Sequence, residues 1–405
     1  MNTAFRSPAV VEFGGGASSR IAAVAASLGV ARPLVISDEF LTASGLLERV
    51  TAPLSAASIP FAVFGECEPE PTVASIDGLR DFFARGDFDG LIAFGGGSVI
   101  DSAKALAILV AFGGEYEQWS VPDTPDGEVM PIIAVPTTAG TGSEVSNACI
   151  LKNGATGGKL VYLGGSCVPR AAIVDFELTL GAPAQLTAAA GIDALAHALE
   201  AYTSAGANPF SDAMARSALR LIGPNLRRAY GDPGDRAARE AVMLGATQAG
   251  YAFSSASVTL VHGMTVPIGG LFDIQHGVSN AMFMPTVHAF SIGNAPERYA
   301  IAAREVGAAT SEHDDDAAAE NLVEELRSLN RDLGLPTIQE YGVDQDLYFA
   351  SLEAMAQQAF ETGVPALSPR VPSTEQMVQL YRAVWDETWL PGGNPEMNEL
   401  LRASG

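Results

Sequence analysis

The chain has 405 residues, 48% of them hydrophobic and 17% charged, with a net charge of −24. That composition excludes a disordered polar chain, and its acidity repels phosphate backbones, so no nucleic-acid partner is expected. The length suggests about two domains.

The start, MNTAFRSPAVVEFGGG, lacks the long apolar stretch of a secretory signal. Short apolar runs then follow at PLVIS (33–37), FAVF (61–64), DGLIAF (89–94), PIIAVP (131–136) and AAIVD (171–175). Between them, 17–28, 40–52, 72–86 and 98–112 read as helices. Short buried runs alternating with helices predict parallel strands in βαβ units. LGAPAQL (180–186) reads as a junction, after which strand-like runs are rare. The segments 183–204, 209–229, 235–254, 315–333, 345–361 and 373–386 read as helical. The expected fold is an α/β N-terminal domain over 1–181 and an all-α C-terminal domain over 182–405. EHDDDAAAE (312–320) reads as a solvated helix start, with His313 exposed. No apolar run reaches about 18 residues, so no membrane span is expected. Cys67, Cys149 and Cys167 are widely spaced and form no CxxC pair, which argues against a disulfide framework and a cysteine-based zinc site; with no secretory signal and no membrane span, a cytoplasmic protein is expected.

Two loops follow adjacent strands. GGGSVIDSAK (95–104) places glycines and Ser98 at a helix start, where backbone N–H groups can hold a phosphate. A tight glycine turn with an N-cap serine is the alternative. PTTAGTGSEV (136–145) offers the hydroxyls of Thr137, Thr138, Thr141 and Ser143 to phosphates or a ribose. Together the loops favour a dinucleotide. Asp38 ends a strand, where an acid can accept from the ribose hydroxyls of NAD and repel the extra phosphate of NADP. It can equally cap the next helix.

In GIDALAHALEAY (191–202), Asp193 and His197 are four apart and share a helix face. His262 in LVHGMTVPIGG and His276 in FDIQHGVSNAMF lie between apolar stretches in the helical half. One carboxylate and three imidazoles suit Fe(II), Zn(II) or another divalent metal. The alternative is three separately satisfied buried histidines. His288 lacks a comparable setting.

These motifs, in this order along nearly the whole chain, resemble the iron-containing (group III) alcohol dehydrogenase family. The resemblance implies a dehydroquinate synthase-like, two-domain architecture with the active site in the cleft. It implies a dinucleotide, NAD in preference to NADP, on the α/β domain. It implies iron, or zinc in some members, on Asp193, His197, His262 and His276. Carried over, the cofactor contacts are Asp38, Gly96, Gly97, Ser98, Asp101, Thr137, Thr138, Thr141 and Lys159. The expected reaction is reversible hydride transfer between NAD and a primary alcohol, diol or hydroxy acid, with the aldehyde as product. Homo-oligomers are expected by family analogy. A hydroxyacid–oxoacid transhydrogenase with tightly held NAD is the main alternative. A metallohydrolase would leave both loops unexplained, and a phosphorylated substrate would call for a basic cluster that is not evident. The chain departs from the family pattern at three places. Val266 stands where a further histidine is common. Pro69-Glu70-Pro71-Thr72 replaces a PNPT turn. ALSP (366–369) replaces a GGNP-type segment bordering the substrate cleft.

Overall fold

The computed structural model describes residues 4–153 and 158–387. Six parallel strands form one sheet in the order β1-β8-β5-β4-β2-β3. They are β1 (Val10–Phe13), β2 (Pro33–Asp38), β3 (Ala62–Cys67), β4 (Gly90–Gly95), β5 (Ile132–Pro136) and β8 (Ala171–Val174). A separate antiparallel hairpin joins β6 (Ala148–Lys152) to β7 (Lys159–Leu163).

The central strands are apolar throughout because both faces are covered. Leu91 and Ala93 pack with Leu34 and Ile36 on one face. Ile92 and Phe94 pack with Val35, Ile133 and Val135 on the other. This is the two-sided burial that parallel sheets require. Beyond β8 the chain is helical, beginning with Ala184–Thr203, Pro209–Gly231 and Arg236–Ala256. These helices share one core, in which Leu195, Leu199, Leu219, Ile222 and Phe283 are fully buried. Among the described residues no single helix is long and apolar enough to cross a membrane.

The sheet topology places the ligand loops. β4 and β5 are neighbours, with Gly95 paired to Pro136, so their following loops emerge side by side at the carboxyl ends. β2, ending in Asp38, lies on the other flank of β4. Strand ends of this kind are where open α/β sheets bind ligands. The loop after β5 is also fastened to the helical half. Thr247 donates to Glu144 at 2.8 Å, and the Asn147 N–H donates to Ser254 Oγ at 3.0 Å. Gly142, at φ 61, lies so close to Gly250 that an added Cβ would be 2.5 Å from the Gly250 Cα.

Several elements differ from the expectation. Helices span Leu260–Phe272, His276–Ser291 and Pro296–Val306, where the sequence suggests only apolar stretches. The first two contain Pro267 and Pro285, which locally oppose helix formation; burial in the helical core overrides that cost. The expected 40–52 helix is two helices, Glu39–Ala43 and Glu48–Ala56, separated by Gly45 at φ 79. Likewise 345–361 divides at Ser351. Strand β1 and the β6–β7 hairpin were not anticipated. Both are short; β1 alternates partly buried with exposed residues and the hairpin strands alternate buried with partly buried or exposed ones, a weaker signal than a continuous apolar run.

Candidate metal and dinucleotide site

One helix face builds half of the polar centre. On Ala184–Thr203, Asp193, His197 and Glu200 recur at i, i+4 and i+7 and are all buried. His262 lies in the first turn of Leu260–Phe272, and His276 opens His276–Ser291. Asp193 Oδ1 stands 3.8 Å from His197 Nε2, 3.6 Å from His262 Nε2 and 3.5 Å from His276 Nε2. Metal–ligand bonds of about 2.1 Å in a tetrahedron separate ligand atoms by about 3.4 Å, so the spacing and donor chemistry suit a divalent metal. The donor atoms of Asp193, His262 and His276 all lie within 4.8 Å of one another, a group that does not include His197. His197 stacks on His262 with ring centroids 4.7 Å apart and on Phe253 at 4.5 Å. Its Nδ1 is buried with no hydrogen-bond partner among the described residues.

The neighbours that hold these side chains were not singled out by sequence reasoning. Glu200 is fully buried and accepts from Thr259 Oγ1 and the Val261 N–H, each at 2.7 Å, while its other oxygen bonds His262 Nδ1. Its signal was available, since it continues the Asp193–His197 face by one more turn. Asn280 follows His276 by four residues, and its Nδ2 donates to Asp193 Oδ1 at 2.8 Å. His288, left aside on sequence, is buried with Nδ1 3.0 Å from the Tyr299 hydroxyl.

Burial opposes charge throughout this centre, and the outcome depends on each group's partners. Burial pushes Asp193 upward, but the surrounding imidazoles prevail and hold it well below the usual carboxylate range. Burial lowers His197 to about 4 and His276 to about 3 against the pull of Asp193, leaving both rings neutral. For His262 the carboxylates of Glu200 and Asp193 outweigh burial and raise it to about 9.

The two loops meet as their strand pairing demands. An added Cβ at Gly97 would be 2.7 Å from Thr141 Cγ2, and one at Gly96 would be 3.4 Å from Thr138 Oγ1. The Gly97–Phe112 helix has no side-chain cap at Gly96, so its first N–H groups face no competing side chain there. Ser98 does not cap that helix; its Oγ accepts from the Glu70 N–H at 3.2 Å. Asp101 is committed internally: Ser143 Oγ donates to one oxygen at 2.6 Å and the Ile150 N–H to the other at 3.0 Å. Asp38 caps Glu39–Ala43 through Oδ1, which accepts from the Leu41 N–H at 2.8 Å. Lys159 opens β7; burial lowers its pKa, against the pull of Glu70 and Asp193. Thr137 and Thr138 face Thr187 and Arg239 of the helical half across a small pocket between the halves.

The three sequence departures all border this region. Val266 sits one turn after His262 on the same helix and is half-buried. The Val364–Leu367 turn packs on that helix, so that an added Cβ at Gly263 would be 2.7 Å from Pro365 Cγ. Glu70 adopts φ 53, a left-handed conformation that suits Asn better than Glu.

A parallel nucleotide-type sheet facing a buried acid–histidine centre defines, as a class, a two-domain protein built for a dinucleotide and a divalent metal. The comparisons make the assignment specific. The profile described as "Iron-containing alcohol dehydrogenase" matches residues 8–176, and "Fe-containing alcohol dehydrogenase family, C-terminal" matches 187–385. The chain belongs to the iron-containing alcohol dehydrogenase family. It is 34% identical over 383 residues to the NAD-dependent methanol dehydrogenase of Bacillus methanolicus, covering 94% of this chain and 99% of that one. It is 35% identical over 379 residues to the 1,3-propanediol dehydrogenase of Klebsiella pneumoniae, covering 93% and 97%. A solved 1,3-propanediol oxidoreductase superimposes with a TM-score of 0.91 at 34% identity, covering 95% of this chain and 100% of the other.

Proposed function

We propose that this chain is a metal-dependent, NAD-linked alcohol dehydrogenase and aldehyde reductase, with Asp193, His197, His262 and His276 as the metal ligands. The observation that carries this reading is the convergence of three imidazole nitrogens within 3.8 Å of one carboxylate oxygen. When bound, a divalent metal supplies Lewis-acid polarisation of a substrate oxygen, and NAD supplies the hydride acceptor.

The chain's own residues bind, orient and shield. Glu200 fixes the His262 ring through Nδ1, leaving Nε2 directed at Asp193. The open N-terminus of Gly97–Phe112 would hold the pyrophosphate, with the hydroxyls of Thr137, Thr138 and Thr141 available to it. Asp38 keeps one oxygen free of its cap for the ribose, which favours NAD. Asp101 and Ser98 act one step back, tying the β5 loop and the 69–72 turn to the glycine loop. Phe253, Val266 and the Val364–Leu367 turn bring apolar surface around the centre, limiting water. Val266 carries no proton, so alcohol deprotonation does not use a ring at that position.

The methanol, 1,3-propanediol, lactaldehyde and long-chain alcohol named for its relatives support a primary alcohol or diol as the substrate class. The three buried, free cysteines suit a reducing compartment such as the cytoplasm. Metal analysis of His197→Ala and His276→Ala tests the assignment. Both should lose bound metal and turnover together, and full metal occupancy with wild-type turnover in either would refute it.

A further inference from the structure

One buried arginine lies beside the dinucleotide loops without a counter-charge. Arg239, in the first turn of Arg236–Ala256, is 4% exposed and lines the pocket between the halves. Its Nη1 donates to Thr187 Oγ1 at 2.8 Å. Its Nε and Nη2 are buried and have no hydrogen-bond partner among the described residues. These two atoms form one edge of the guanidinium, the fork that matches paired oxygens of a phosphate or carboxylate.

The acids nearest in the fold are used elsewhere. Glu177 pairs with Arg236 and Arg49, and Asp235 pairs with Arg228 at 2.7 Å while capping the helix. Among the described residues no ion pair reaches Arg239, and burial pushes its pKa down with no charge opposing. The chain has 47 acids against 23 lysines and arginines, so acid partners are abundant. A cation in the first turn also faces the positive end of the helix dipole. Buried charges are normally paired, because burial removes their hydration and nothing else replaces it. The partner of Arg239 is therefore expected from outside the chain.

The pocket's other wall indicates what fits. Thr137 and Thr138 stand opposite, just after β5. Thr138 Oγ1 also borders the glycine loop, 3.4 Å from where a Cβ on Gly96 would lie. Hydroxyls from one half and a guanidinium fork from the other thus border one space, beside the uncapped start of Gly97–Phe112. All of these groups donate to oxygen, and the guanidinium favours an oxygen that carries negative charge.

We propose that Arg239 is a dinucleotide-binding residue supplied by the helical half, and that its free Nε–Nη2 edge takes a phosphate oxygen of the dinucleotide. This rests on the dinucleotide reading above and adds to it a contact from the second domain. The bound dinucleotide then ties the halves together, since Thr138 belongs to one and Arg239 to the other. A free inorganic anion has the same chemistry, so the test separates the two sources.

The test uses the full-length, metal-loaded protein and titrates NAD, ADP-ribose and adenosine by calorimetry. In Arg239→Met the dissociation constants for NAD and ADP-ribose should rise about tenfold or more, while that for adenosine, which carries no phosphate, stays unchanged. Arg239→Lys keeps the charge without the fork and should fall between. Without dinucleotide, Arg239→Met should melt no lower than the wild type, because it removes an unpaired buried charge. Unchanged NAD affinity in Arg239→Met would overturn the proposal. An equal loss for adenosine would do so too, by placing the contact on the base or ribose. Inorganic phosphate that stabilises the wild type but not Arg239→Met, with NAD affinity the same in both, would replace the dinucleotide by a free anion. A lower melting temperature in Arg239→Met with full NAD affinity in Arg239→Lys would leave only a packing role. A wild-type chain that binds neither NAD nor ADP-ribose would overturn the dinucleotide reading itself.

Discussion

Replacing Glu200 with Gln changes no ligand and little volume, yet it should weaken the metal centre. The carboxylate serves three donors: Thr259 Oγ1 and the Val261 N–H on one oxygen, and His262 Nδ1 on the other. A Gln amide oxygen placed toward Thr259 and Val261 puts its NH₂ against His262. The ring must then accept at Nδ1 and carry its proton on Nε2, where the metal would bind. Loss of such an outer hydrogen bond costs about 10–100-fold in metal affinity, or about 1.4–2.8 kcal/mol. The metal-free protein also loses charge-assisted bonds worth about 1.5–3 kcal/mol each, offset in part by no longer burying a carboxylate. Competition with a chromophoric chelator reads the Zn(II) affinity, and thermal melting with and without metal reads the two states. An unchanged Zn(II) affinity in Glu200→Gln would refute the reasoning.

Three further outcomes are expected. Asp38→Asn retains an N-cap oxygen but removes the charge, so the NAD/NADP ratio of kcat/KM should fall about tenfold, ~1.4 kcal/mol, with no change in melting; an unchanged ratio would remove Asp38 from cofactor selection. Gly97→Ala drives a methyl into Thr141, at 2.7 Å from its Cγ2, and should raise KM for NAD about tenfold or more with metal content unaffected; direct titration with NAD checks this. Glu144 is buried with one hydroxyl donor from Thr247, and burial raises its pKa in the folded chain. Its contribution is therefore full below the unfolded carboxylate range and is lost as pH rises through the folded value. Glu144→Gln should raise the melting temperature at pH 8 and not at pH 4, by about 1 °C per kcal/mol gained.

Where burial is uniform, the sequence was informative. PLVIS, DGLIAF and PIIAVP read directly as central strands because both faces of a parallel sheet demand apolar side chains. Asp193 and His197 were legible because a helix repeats its faces at fixed spacing. The helices carrying His262 and His276 are not, since Gly and Pro in HGMTVPIGG mask the local signal and only burial of Val261, Met264 and Phe283 in the helical core overrides it. Asn280 and Glu200 were overlooked for a different reason. An amide or a carboxylate on a helix has many uses, and its role depends on a partner 59 to 87 residues away. Asp101 shows the same dependence on distant partners: the resemblance places it at the cofactor, and its oxygens also accept from Ser143 Oγ and the Ile150 N–H.

The most direct test follows nicotinamide absorbance with protein purified without oxygen, as metal-free, Fe(II)-loaded and Zn(II)-loaded samples. The substrates are small primary alcohols, diols and hydroxy acids with their aldehydes, each with NAD and NADP. Turnover that requires metal and prefers NAD, on an alcohol–aldehyde pair, is the result expected here. Equal turnover by metal-free and loaded protein, or none with metal and NAD both bound, would contradict it.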